Sequence, residues 1–151
     1  MNGTSLCLID SNILVYLHDP REPALQQQAG IVLDYLGDRQ RVVLSAQCLT
    51  EFFNSVTRRL PFPLSTEEAQ SSLNEIATIA VAVYPVTLDI VKDAAAAVST
   101  YQMSVWDALI WAVAFRNGVR TILTEDMQSR PVIAGVLYVN PFDPDFDIES
   151  L

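Results

Sequence analysis

The sequence predicts an α/β fold, a central and mostly parallel sheet of about four to five strands wrapped by helices. Three observations carry this. Short runs that are apolar at 6–9 and 42–44, and nearly so at Thr121 to Leu123, have the length of buried strands. Between them lie longer segments with helical spacing, as at Leu49, Phe52, Phe53, Val56 and Leu60. Half of the 151 residues are hydrophobic, with 8 prolines and 5 glycines, which suits one compact core rather than a disordered or fibrous chain. The chain is therefore read as one domain over 1–151, with its core at 6–142 and an acidic tail at 143–151.

The first strand stops at Asp10, Ser11 and Asn12 before apolar residues resume at Ile13, where a helix is expected. Open α/β sheets bind ligands outside the carboxyl ends of their strands, so an acid there is placed for chemistry. Asp, Ser and Asn also cap helices, and for Asp10 both readings stand on local grounds. His18, the single histidine, lies in the proline-rich HDPREP turn and is read as solvated surface without a role. Pro23 suits the first turn of a helix carrying Ala29, Val32, Leu33 and Leu36, with Gly37 as its stop.

The second strand ends at Ser45 and passes at once into the helix of Leu49 and Phe52. There Glu51 lies on the side of Gln47 and Asn54, away from the apolar stripe, where periodicity alone indicates solvent. Ser65, Thr66, Glu67 and Glu68 form a capped helix start running to about Ala77. Residues 81–86 read as a third strand that Pro85 assigns to an edge or a strand end. Thr87 caps a helix from Leu88 to Tyr101, whose alanines predict close helix packing.

Residues 105–115 are apolar on nearly every side, the mark of a buried helix ended by Asn117 and Gly118. Asp107 is the exception, and an unpaired carboxylate in such surroundings costs several kcal/mol unless something binds or solvates it. Ser104 to Asp107 also reads as a capping pair, with an acid in the first turn favoured by the helix dipole, so capping and function stay balanced. The strand 121–123 runs into Thr124, Glu125 and Asp126, and 135–139 supplies a last strand.

Nine basic residues against 18 acidic give a net charge of −9, which excludes a broad electrostatic footprint for nucleic acid. Cys7 and Cys48 belong to no disulfide or metal-binding spacing and are expected as buried thiols. No run reaches the roughly 18 apolar residues of a membrane span and no leader pattern opens the chain, so a cytoplasmic protein is expected.

In a parallel sheet the carboxyl ends share one edge, so Asp10, Glu51, Asp107 and the acids after Leu123 are able to converge. Two carboxylates about 4 Å apart repel by roughly 4 kcal/mol at an effective dielectric of 20, and a divalent cation removes that conflict. Oxygen donors select Mg²⁺ or Mn²⁺, which also supplies the positive charge an acidic protein needs to hold a phosphodiester. Ser11, Asn12, Ser104 and Thr124 are placed to orient the carboxylates.

LIDSNILVY, AQCLTEFFN, SVWDALIWAVAFRNG, ILTEDM and the closing NPF, in that order, resemble the motifs of PIN-domain ribonucleases, most of all the toxins of VapC-type toxin–antitoxin pairs. The resemblance runs from Leu6 to Phe142. It implies a PIN-like three-layer fold. It implies Asp10, Glu51, Asp107 and Asp126 as the catalytic acids, with Mg²⁺ or Mn²⁺ held by Asp10, Asp107 and Asp126. Metal-assisted hydrolysis of RNA, a homodimer and a small cognate antitoxin complete the expectation. Ser11 stands where threonine is common, and QSRPVIAG after Asp126 lacks an early glycine, which leaves Glu125 as an alternative to the fourth acid.

Two other readings remain. One is an acidic domain that only binds a basic partner. The other is an aspartyl-phosphate phosphohydrolase, disfavoured because position 12 is Asn and the only lysine, Lys92, falls inside a helix.

Overall fold

A computed structural model describes residues 5–126 and 131–151. In chain order the elements are β1 (Cys7–Ile9), α1 (Ser11–Tyr16), α2 (Pro23–Asp38), β2 (Val42–Ser45), α3 (Ala46–Arg58), α4 (Thr66–Ile79), β3 (Ala82–Tyr84), α5 (Leu88–Tyr101), α6 (Val105–Arg116), β4 (Thr121–Leu123), β5 (Val132–Ile133) and β6 (Val136–Val139). A 3₁₀ turn at Ile148–Ser150 follows. Positions 127–130, which hold the glycine-poor start of the loop after Asp126, lie outside the described residues.

The strands are apolar without alternation because both sheet faces are covered. Cys7, Ile9, Val42, Leu44, Leu123 and Val139 point into one core with residues of α1 to α4, and Leu8, Val43, Ile122, Val136 and Tyr138 into a second core with α5 and α6. That alternation of successive side chains is the period of a strand. The alanines do what close packing requires, since Ala94 and Ala97 of α5 and Ala108 and Ala112 of α6 are buried in the second core. Both cysteines are free and buried.

The sheet order is β3-β2-β1-β4-β6-β5. β1 pairs in parallel with both β2 and β4, β2 with β3, and β4 with β6, while β5 alone runs antiparallel. The chain winds outward from β1 in one direction through β2 and β3 and returns to its other side with β4. The topological switch point therefore falls between β1 and β4, where such sheets open a crevice. Among the described residues no helix is long and apolar enough to cross a membrane.

Several local expectations are corrected. The sheet has six strands because Ala134 (φ 49°) and Gly135 (φ 80°) make a tight turn that pairs Val132–Ile133 with β6. Gly37 does not stop α2, which runs on to Asp38, and Gln40 (φ 54°) takes the left-handed conformation instead. Gly37 serves close approach, since a Cβ there would lie 2.8 Å from Ile79 Cγ2 at the end of α4. His18 is half-buried, its Nε2 2.7 Å from Ser72 Oγ on α4 and its ring tilted against Phe52. The acidic tail is also docked, with Phe146, Ile148 and Leu151 packed on the first core.

Candidate active site

Asp10 follows β1 directly and caps α1, its Oδ1 accepting from the Ser11 backbone N–H at 2.7 Å. The capping reading of this residue holds, and the same carboxylate also faces the cleft. Its Oδ2 accepts from Thr124 Oγ1 at 2.8 Å, across the switch point at the end of β4. Thr124 Oγ1 in turn accepts from Asn12 Nδ2 at 3.1 Å and from the Asp126 backbone N–H at 3.3 Å, and Asn12 Nδ2 also donates to Asp126 Oδ2 at 3.3 Å. On the other side Ser11 Oγ donates to Glu51 Oε2 at 2.9 Å, and Gln47 Nε2 donates to Glu51 Oε1 at 2.7 Å. One hydrogen-bonded chain thus runs from α3 through Glu51, Ser11, Asp10, Thr124 and Asn12 to Asp126.

Asp107 completes the acidic wall from the first turn of α6. Ser104 Oγ accepts from the Asp107 backbone N–H at 3.1 Å and donates to its Oδ2 at 2.8 Å. Asp107 is exposed rather than sealed in a buried helix, as are Val105, Trp106 and Phe115 of the same segment. The desolvation cost expected for it does not arise, because the start of α6 opens into the cleft.

Asp10, Glu51, Asp107 and Asp126 all line one open cleft of about 430 Å³. Ser11, Asn12, Gln47, Asn54, Ser55, Arg59, Trp106 and Ile110 line it with them. Glu125 is turned away: Tyr16 donates its hydroxyl to Glu125 Oε2 at 2.7 Å. Sequence reasoning missed Ser55, Arg59, Trp106 and Ile110. Helical spacing from Glu51 is the signal that finds two of them, since Ser55 and Arg59 lie four and eight residues along the same face.

Burial pushes the Asp10 carboxyl up to about 6, with the hydrogen bonds from Thr124 and Ser11 opposing it and the charges of Glu51 and Asp126 adding to it. The Cys48 thiol, 4.0 Å from Asp10 Oδ1, is raised by its own burial and then by that carboxylate. Asn12 Oδ1 and Gln47 Oε1 are buried acceptors without a hydrogen-bond partner among the described residues. Unpaired oxygen acceptors beside carboxylates are short of positive charge or donors, and oxygen donors of this kind suit a hard cation. Among the described residues no three His, Cys, Asp or Glu side chains are close enough to form a finished cage. Mg²⁺ does not demand one, because it keeps several waters and is held by one or two carboxylates. The donor set fits such an ion.

An acid-lined crevice at the switch point of a parallel α/β sheet is the class of site that the fold defines. The chain belongs to the PIN domain family, whose model matches residues 7–130. No curated protein sequence matches it. Among solved structures, it is similar to a toxin–antitoxin complex from Klebsiella pneumoniae, at 19% identity and TM-score 0.67, covering 91% of this chain and 98% of that one. FitAcB from Neisseria gonorrhoeae is similar at 21% identity and TM-score 0.59, over 90% and 98% of the two chains. VapC20 from Mycobacterium tuberculosis, a toxin that cleaves the sarcin–ricin loop, is similar at 19% identity and TM-score 0.54, over 77% and 86%. At these identities the likeness is one of fold.

Proposed function

We propose that the protein is a divalent-cation-dependent endoribonuclease and the toxin half of a toxin–antitoxin pair. The observation that carries this reading is the meeting of four acids, from four separate parts of the chain, in one cleft at the carboxyl edge of the sheet. Mg²⁺ or Mn²⁺ would be held by one or two carboxylates drawn from Asp10, Asp107 and Asp126, with waters completing its shell, and Glu51 is the fourth catalytic acid. When bound, such an ion neutralises phosphodiester charge and activates water. Ser11 and Thr124 fix the Asp10 and Glu51 carboxylates, Asn12 fixes Asp126, and Ser104 fixes Asp107. These donors hold the acids in place before any ligand arrives, the arrangement that electrostatic catalysis requires.

The net charge of −9 suits an antitoxin with a basic segment, and a homodimer belongs to the same reading. The toxin names among the structural neighbours support it. An aspartyl-phosphate enzyme fits less well, because Lys92 lies exposed on α5 and no lysine lines the cleft.

The test is incubation of purified protein with RNA and Mg²⁺ beside the Asp10→Asn variant. Cleavage by the wild type alone supports the proposal. Equal behaviour of the two proteins defeats it and favours an acidic binding domain.

A further inference from the structure

Two cleft residues, Trp106 and Arg59, have no part in holding the acids. Trp106 is 64% exposed, whereas the second tryptophan, Trp111, is 5% exposed and donates its Nε1 to the Ile133 carbonyl at 3.1 Å. Aromatic side chains normally bury their large apolar area, so an indole standing in water at a cleft wall has surface to give to a ligand. Among the described residues no other aromatic ring packs on it. Its backbone is fixed, since the Trp106 carbonyl accepts from Gln47 Nε2 at 3.3 Å. That bond ties the start of α6 to the helix carrying Glu51.

Arg59 caps the carboxyl end of α3 and, among the described residues, is the one cationic side chain that lines the cleft. None of the ion pairs among the described residues involves it. From Glu51 to Arg59 is about 12 Å along the helix axis. Arg59 therefore stands at the far end of the α3 flank from Glu51, placed for a phosphate that flanks the one seated among the acids. A basic peptide would meet Arg59 as a like charge, whereas a nucleic acid strand meets it as an opposite one.

We propose that Trp106 and Arg59 form a subsite for single-stranded RNA beside the acids, in which an unpaired base stacks on the Trp106 indole while Arg59 holds a flanking phosphate. The proposal rests on the ribonuclease reading above and adds to it two residues that grip the strand outside the acids. Bases in an A-form helix keep their faces stacked on each other, and only loops, bulges and ends can offer one to an indole. Stacking tolerates every base, so the subsite selects for unpaired residues and not for a base identity.

The binding test uses the tryptophan fluorescence of the Asp10→Asn protein in Mg²⁺, titrated with a short unstructured oligoribonucleotide and with an RNA hairpin of equal length. Saturable quenching by the single strand, weaker with the hairpin and lost on further change of Trp106→Phe, is expected. In the active protein, Trp106→Ala raises KM about tenfold or more, the loss of one base–aromatic stack, and leaves kcat and thermal stability nearly unchanged. Trp106→Phe restores most of the KM. Arg59→Ala raises KM and lowers the salt slope of KM by about one, whereas Trp106→Ala leaves that slope alone. No quenching by RNA, with KM unmoved in Trp106→Ala while the wild type cleaves and Asp10→Asn does not, overturns the subsite and leaves the nuclease standing. Quenching by a basic peptide only also overturns it and makes Trp106 a protein-docking anchor. Failure of the nuclease reading shows itself separately, as equal behaviour of wild type and Asp10→Asn toward RNA.

Discussion

Helices α3 and α6 meet across the cleft and are built on opposite rules. α3 is two-sided: Cys48, Leu49, Phe52 and Val56 are buried, and Gln47, Glu51, Asn54 and Ser55 line the cleft. α6 is apolar almost throughout, with Ala108, Ile110, Trp111, Ala112, Val113 and Ala114 buried, and it reaches the cleft mainly through its first turn, at Trp106 and Asp107. A two-sided helix offers an acid from its flank, where neighbours on the same face hold it. A buried helix offers one from its end, where unpaired backbone N–H groups and the helix dipole favour a carboxylate. Glu51 is accordingly half-buried and hydrogen-bonded at both oxygens, whereas Asp107 is exposed and held by Ser104.

That contrast breaks if the two helices do not respond differently to substitution. The largest effect is expected on catalysis: Asp107→Asn lowers RNA cleavage by more than about 100-fold, since outer-shell partners of metal sites alone cost roughly 10- to 100-fold. Because the side chain is exposed, its unfolding free energy should stay within about 0.5 kcal/mol of wild type. Retained cleavage would remove the end of α6 from the site. On the buried flank of α3, Phe52→Ala should cost about 3–5 kcal/mol in denaturant unfolding, the scale for emptying a filled core position.

A smaller effect separates the acid that both helices surround. The folded Asp10 carboxyl sits at about 6 against an ordinary 3.8. The folded state therefore keeps a proton that the unfolded chain releases, so the destabilising contribution is full above pH about 6 and disappears below pH about 4. In chelator, Asp10→Asn should be more stable than wild type by about 3 kcal/mol at pH 7.5, with the gap closing by pH 4. A gap independent of pH would contradict this. Smallest is Ser104→Ala, expected to cost about 1 kcal/mol of stability as a lost cap and to weaken cleavage by loosening Asp107.

The same contrast explains what is legible in the sequence. Strand ends are legible because a buried parallel strand stays mostly apolar until it leaves the sheet, and Asp10 and Thr124 mark the edge as the polar residues directly after Ile9 and Leu123. The caps Ser65 and Thr87 were legible from side-chain chemistry, and both accept the expected backbone bond, from Glu68 and Ile90. Periodicity misjudged both helix acids for one reason. It sorts positions into core and solvent, and a cleft is neither: Glu51 reads as plain solvent and Asp107 as core. It also had no means to find β5, whose Ala134–Gly135 turn lacks the Asn-Gly or Asp-Gly signal, or the contact between Gly37 and Ile79.

The claim on which the account rests is that acids from separate elements share one cation. Titration of the metal-free protein with Mn²⁺, following free ion by electron paramagnetic resonance, tests it without reference to activity. Saturable binding by the wild type that is weakened in Asp10→Asn and again in Asp107→Asn is the predicted result. Binding that is absent from the wild type, or equal in all three proteins, would contradict it.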